Sequence, residues 1–393
     1  MYDFNEIIDR RQSNSMKWAE ARKRLTAEQC AADPLPMWVA DMDFRVARPI
    51  LDAMHRELEM GVLGYGGTPD SYVEAVVNWQ ASRFGWNAMP DWLTQSPGVV
   101  SALNMSIQAF TQPGDYVVVQ TPVYFHFHYD VVVNGRRLLQ APLVLQDGRY
   151  RFDPDVFEAA LRPGTKLFIL CNPHNPTGNV WTRDELLTMA SICERHGIVV
   201  VSDEVHQDFV FGEGRRHVPF ETLDHPVAKD SIICTAPSKT FNIAGLACAN
   251  IFIANERMRR AYRTQCERSG ISLVNTMGTA ACEAAYRECG PWVDAMVAYV
   301  KSNQDYFAKS VTELGLPLKV TPTDSLYLAW LDFRPSSMPA DDLHDFLLRN
   351  ARLWLDPGTK FGAGGEGFMR INLACPRKIV DEAIARLGRA FFG

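Results

Sequence analysis

The sequence predicts an α/β protein with a mainly parallel sheet sandwiched by helices, and three observations carry that prediction. Four short apolar runs, "DYVVVQTPVY", "KLFILCNP", "GIVVVSDE" and "SIICTAPSK", are continuous rather than alternating, as strands buried on both faces are. Stretches with helical spacing separate them, and strands alternating with helices build parallel sheets. Each run also ends in polar or conformationally special residues: Tyr124, then Asn172 to Asn175, then Asp203, then Ser238 and Lys239. Ligands of open α/β sheets bind beyond the carboxyl ends of the strands, so one shared site can collect all of these groups.

In chain order, residues 1 to about 45 read as irregular, because "ADPLPMWVADMDF" is too rich in Pro and Asp for a regular element. "RPILDAMHRELEMG" is helical, apolar at Ile50, Leu51, Met54 and Leu58, and stops at Gly61. "GYGGTPD" is a loop. Between about 95 and 250 lie the four strands and the helix "TRDELLTMASICERHG", whose Thr182 and Glu185 form a capping box. After about 280, long helices in "MGTAACEAAYREC" and "PWVDAMVAYVKSNQDYFAKSVTEL" precede candidate strands "DSLYLAWLDF" and "GFMRINLAC". This predicts a large domain over residues 46–285 and a smaller α+β domain built from 286–393 together with 1–45.

Composition narrows the function. The 393 residues, 47% hydrophobic and 22% charged, describe an ordinary globular chain. A net charge of −6 argues against a nucleic-acid surface, which needs clustered excess Lys and Arg, and favours a small-molecule partner. The nine cysteines include no C-x-x-C pair and mostly sit in apolar context, which predicts a reducing compartment. "MYDFNEIIDRRQ" carries charge where a signal peptide needs an apolar segment, and no apolar stretch is long enough to span a bilayer. The expectation is a cytoplasmic protein with no membrane association.

Lys239, after an apolar strand and a serine, is placed for partial desolvation, which lowers an amine's pKa toward its nucleophilic form. Taken alone, a lysine there fits a strand-end side chain that snorkels to solvent better than a reactive amine. Asp203 is costly to bury unless a cation meets it, and a protonated pyridine nitrogen is one such cation; a turn or N-cap aspartate is the plain alternative. "NPHNPTG" makes a rigid turn that aims Asn175 back at the sheet edge.

"NPHNPTG", "SDEVHQDF", "SKTFNIAGL" and "FMRINLACPR", in this order and separation, resemble fold-type I pyridoxal-phosphate enzymes, the aspartate aminotransferase superfamily, over essentially the whole chain. Within it, "WVADMDF", "YGGTPDSY" and the "DEVHQD" form with His206 resemble the MalY/PatB branch of cystathionine β-lyases, or carbon-sulfur lyases. The resemblance implies a seven-stranded sheet and pyridoxal 5′-phosphate as cofactor. It makes Lys239 the Schiff-base lysine, Asp203 the partner of the pyridine nitrogen, Asn175 the amide on the phenolic oxygen, and Tyr124 the ring that stacks on the cofactor. Gly98, Val99, Val100 and Ser238 match the phosphate site, where a helix N-terminus offers free N–H groups. Arg370 matches the arginine that grips the substrate's α-carboxylate. Tyr65 matches a tyrosine lent to the neighbouring subunit, so a homodimer is expected. Tyr124 and Tyr65 are also expected to position Lys239 or the sulfur leaving group, and Trp38 to lie at the pocket mouth.

The implied reaction is β-elimination from a cysteine S-conjugate such as cystathionine. Transamination of an L-amino acid on the same site is the alternative, and a regulatory protein that binds a transcription factor is the alternative from another class. One departure stands out: "TFNIAGLACANIF" lacks the arginine that holds the phosphate in the aminotransferase pattern. Two further signals lead elsewhere. "GAGGEG" matches a dinucleotide fingerprint but precedes a strand rather than a helix. In "FHFHYD", His126 and His128 would share a strand face, yet no third ligand stands nearby, so they read as pocket wall and no metal is expected.

Overall fold

A computed structural model describes residues 2–211, 214–271 and 275–393. Seven strands form the central sheet: β1 Leu93–Ser96, β2 Tyr116–Thr121, β3 Arg137–Pro142, β4 Thr165–Cys171, β5 Val199–Asp203, β6 Ile232–Thr235 and β7 Ala249–Phe252. Their spatial order is β1-β7-β6-β5-β4-β2-β3. β2 through β6 pair in parallel, whereas β7 runs antiparallel to both β6 and β1. The expected parallel sheet therefore carries one reversed strand near its edge.

The pleat explains why these runs are apolar throughout. Val118, Phe168 and Val200 stand side by side across β2, β4 and β5 and join the core on one face. Their neighbours Val119, Ile169, Val201 and Ile232 join the core on the other. Side chains alternate faces along a strand, so a sheet covered on both sides needs apolar residues at every position. Helix α1, Arg48–Met60, starts with Pro49 in its first turn and ends at Gly61 in the left-handed region (φ 69°), as its sequence predicts. The helix Arg183–His196 has its capping box, with Thr182 Oγ1 accepting from the Glu185 N–H.

A second sheet, antiparallel and four-stranded, has the order β8-β9-β11-β10, from β8 Lys319–Val320, β9 Leu328–Asp332, β10 Asp356–Pro357 and β11 Phe368–Asn372. It packs on the helices Ala340–Arg349 and Arg377–Phe392 over its own core. The N-terminal segment touches both units: Leu35–Pro36 pairs in parallel with Leu353–Trp354, while Phe4, Met42 and Phe44 join the core under the large sheet.

Two local expectations change. Residues 1–45 are not wholly irregular: Met16–Ala19, Ala21–Arg24 and Ala27–Ala31 are single helical turns, fastened by the Ser15 cap and a Thr26–Gln29 capping box. The Lys17 ammonium is buried and meets Asp43 at 2.6 Å. "FHFHYD" is the start of a helix, Phe125–Val133, so His126 and His128 do not share a face; His126 instead meets Asp130 one turn on, at 3.0 Å. "GAGGEG" is a close-packed turn before β11, where a Cβ on Gly365 would lie 2.1 Å from the Gly358 carbonyl oxygen.

Candidate active site

The carboxyl ends of β2, β4, β5 and β6 open into one cavity of about 770 Å³. The sequence supplies its wall in pieces. β5 ends at Asp203, β6 runs into the short helix Pro237–Thr240 that carries Ser238 and Lys239, and the turn after β4 brings in Asn175. Arg370 reaches the same space from β11, and Asp356 from β10.

Lys239 donates through Nζ to the Ala40 carbonyl at 2.8 Å. Burial and then the nearby Arg370 charge bring its amine down to about 8, because both disfavour the ammonium form. Asp203 is buried, and its Oδ1 accepts the Val205 N–H at 3.2 Å. Burial pushes its carboxyl up to about 7 against the pull of the Val205 bond and the Lys239 charge, and it forms no ion pair among the described residues. The Asn175 amide oxygen accepts from Arg370 Nη1 at 3.1 Å. Arg370 further donates through Nη2 to Asp356 at 2.5 Å and to the Trp38 carbonyl at 3.1 Å. This ion pair is almost fully buried, so its partners fix the guanidinium plane.

Tyr124 is half-buried beside these groups, and burial holds its phenol above the usual range and therefore protonated. Gly98, Val99 and Val100 line the cavity at the N-terminus of the helix Val99–Phe110, where the first amides have no intrahelical acceptor. Gly98 has φ 134°, a backbone conformation that side-chain-bearing residues rarely adopt. His206 is buried, and its Nδ1 has no partner among the described residues; burial holds its pKa well below the usual value. Tyr65 is 99% exposed and does not line the cavity of its own chain.

The other charges of "SDEVHQDF" serve the scaffold. Glu204 is buried against His217 Nε2 at 2.7 Å, Ser202 Oγ at 2.8 Å and the Phe220 N–H at 2.9 Å. Asp208 accepts from Thr240 Oγ1 at 2.7 Å, next to the lysine-bearing turn. Sequence reasoning missed Asp356, Lys360, Arg24, Tyr327 and the Ala40 carbonyl. Only Ala40 had a signal, since it lies within "WVADMDF"; the others become neighbours through the fold alone.

The donor set fits pyridoxal 5′-phosphate. A buried carboxyl that forms no ion pair among the described residues matches a protonated ring nitrogen, an amine that deprotonates near neutral pH matches an aldehyde, and a helix N-terminus matches a phosphate. The cationic side chains that line the cavity are Arg24, Lys239, Lys360 and Arg370, while Ala244 and Ala247 occupy the stretch where the aminotransferase pattern has its arginine.

Comparison with known proteins agrees with this geometry. Cystathionine beta-lyase PatB of Bacillus subtilis (strain 168) is 41% identical over 99% of each chain. Protein MalY of Escherichia coli (strain K12) is 34% identical over 98% of each. The crystal structure of cystalysin from Treponema denticola, which contains a pyridoxal 5′-phosphate cofactor, superposes with a TM-score of 0.93 at 33% identity, covering 99% of this chain and 98% of that one. The model for aminotransferase class I and II matches residues 63–387, and the chain belongs to that family.

Proposed function

We propose that this chain is a pyridoxal 5′-phosphate-dependent carbon-sulfur lyase. It cleaves the Cβ–S bond of cysteine S-conjugates such as L-cystathionine, with water, to homocysteine, pyruvate and ammonia. The observation that carries the reading is the convergence of Lys239, Asp203, Asn175 and Arg370 on one cavity in a chain 41% identical to a cystathionine beta-lyase.

When bound, the cofactor supplies an electron sink for the pair left at the substrate's Cα. Lys239 would hold it through its amine, Asp203 would keep its ring nitrogen protonated, and Asn175 would meet its phenolic oxygen. Gly98, Val99, Val100 and Ser238 would receive its phosphate, and His206 would flank the ring. Arg370, already oriented by Asn175 and Asp356, binds the substrate α-carboxylate and so turns the Cα–H toward Lys239. When no longer engaged with the cofactor, the Lys239 amine, brought to about 8, would take the Cα proton as a general base. The protonated phenol of Tyr124 can donate to the departing sulfur.

A homodimer is part of this reading: the fully exposed Tyr65 serves the partner's phosphate site, in line with its absence from its own cavity. Residues 46–285 form the cofactor-binding unit, and 1–45 with 286–393 the smaller one. No helix of the described residues is long and apolar enough to cross a membrane. Eight of the nine free cysteines are buried, in keeping with work in the reducing cytoplasm.

The deciding experiment is incubation of cofactor-loaded protein with L-cystathionine and no keto acid. A lyase releases pyruvate over many turnovers. A transaminase stops after one turnover per site, and that result would overturn the proposal.

A further inference from the structure

The substrate cavity is not uniformly buried, and its cations divide accordingly. The Arg370 side chain is 3% exposed, whereas those of Lys360 and Arg24, which line the same cavity, are 47% and 44% exposed. The two exposed cations therefore stand at the mouth. Both converge on one ring: the Arg24 guanidinium carbon lies 5.2 Å from the Trp38 centroid and Lys360 Nζ lies 5.8 Å from it.

Trp38 ties this group to the interior, because its carbonyl accepts from Arg370 and its ring stacks on Trp354 at 4.6 Å. The ring quadrupole attracts both cations and holds their donors beside the mouth. Donor capacity is left over. Arg24 spends Nε on Glu20 at 2.8 Å, and its two Nη groups have no hydrogen-bond partner among the described residues. Lys360 gives one hydrogen to Asp356 Oδ1 at 3.0 Å and has two more. Trp38 Nε1 is buried without a partner among the described residues.

The carboxylates next to this group, Glu20 and Asp356, are each already engaged. The mouth therefore offers donors, and an incoming acid suits it better than an incoming amine.

We infer that Arg24 and Lys360, held over Trp38, form a second carboxylate subsite that selects cysteine S-conjugates whose leaving thiol carries an acid group. This rests on the lyase reading above. With the α-carboxylate at Arg370, the S-substituent extends from Cβ toward the mouth, and its terminal carboxylate meets the Arg24 fork and the Lys360 ammonium.

The test compares S-carboxyethyl-L-cysteine with S-propyl-L-cysteine, which share a chain length and differ in the terminal charge. The cofactor-loaded wild-type protein is expected to prefer the acid conjugate by about tenfold or more in kcat/KM, the size of charge-assisted hydrogen bonds, with the preference shrinking as salt rises. Arg24→Gln with Lys360→Gln brings the two conjugates to parity through the KM of the acid one. Equal treatment of both by wild type, or equal loss of both in the variant, overturns the subsite.

Calorimetric binding of the same conjugates to cofactor-loaded Lys239→Ala protein, with and without the two substitutions, separates this question from the lyase reading. If neither conjugate yields pyruvate, the lyase reading fails, and the binding ratio still decides the subsite.

Discussion

Lys239 Nζ lies 2.8 Å from the Ala40 carbonyl oxygen, a contact between residues 199 positions apart. The Tyr327 hydroxyl donates to the same oxygen, also at 2.8 Å. An N-terminal peptide group thus fixes where the Lys239 amine rests in the cavity. Lys239→Ala is expected to lower pyruvate release from cystathionine by roughly a thousandfold, with the circular-dichroism melt little changed. Retention of more than a tenth of wild-type turnover would show that another base takes the Cα proton.

Asp203 links pH to stability. Its folded pKa, about 7, lies above its ordinary 3.8, so without cofactor the folded chain keeps a proton that the unfolded chain has released. Stability contributed by this group is therefore lost as pH rises from about 4 to about 7, on the order of 4 kcal/mol. Asp203→Asn should flatten that slope in urea melts of the cofactor-free protein. Adding pyridoxal 5′-phosphate to wild type should flatten it too, because a pyridinium favours the carboxylate. An unchanged slope in both cases would remove Asp203 from the cofactor site.

Asp356 holds Arg370 at 2.5 Å and Lys360 at 3.0 Å. Asp356→Ala leaves the buried guanidinium without its close carboxylate and is expected to cost about 3–5 kcal/mol in denaturant melts. Arg370→Lys keeps the charge but loses the planar fork, so KM for every amino-acid substrate should rise about tenfold or more while the fold persists. A KM that stays at its wild-type value would place the α-carboxylate elsewhere.

Gly98 sits at φ 134° with open space where a Cβ would go. Gly98→Ala therefore meets backbone strain without a clash, costing roughly 1–3 kcal/mol. Relief of that strain would turn the first amides of the following helix, so cofactor affinity should fall with stability. Equilibrium dialysis against pyridoxal 5′-phosphate checks this; unchanged affinity would free this helix N-terminus from the phosphate.

The residues legible in the sequence were those whose role is local. Lys239 and Asp203 each follow a continuous apolar run, so a buried strand with a polar end could be recognised from a few neighbouring letters. "FHFHYD" shows the opposite hazard. Its aromatic and histidine residues alternate with a period of two, like a strand, yet the strand β2 has already ended at Thr121 and the His126–Asp130 pair suits a helical turn. The reversed direction of β7 left no mark either, since a strand buried on both faces reads alike in both directions.

By itself, then, the sequence determined the α/β class and the family, and it singled out Lys239, Asp203, Asn175 and Arg370, which the structure gathers around one cavity, because apolar runs, turn chemistry and strand-end groups are written in short stretches. The tertiary structure alone decided how those residues are held: Arg370 between Asn175 and Asp356, Lys239 against Ala40, Arg24 and Lys360 over Trp38. The physical reason is separation along the chain. Hydrogen bonds and ion pairs depend on distances of a few ångströms, and between residues as much as 332 positions apart, as for Arg370 and Trp38, only the packed cores set that distance.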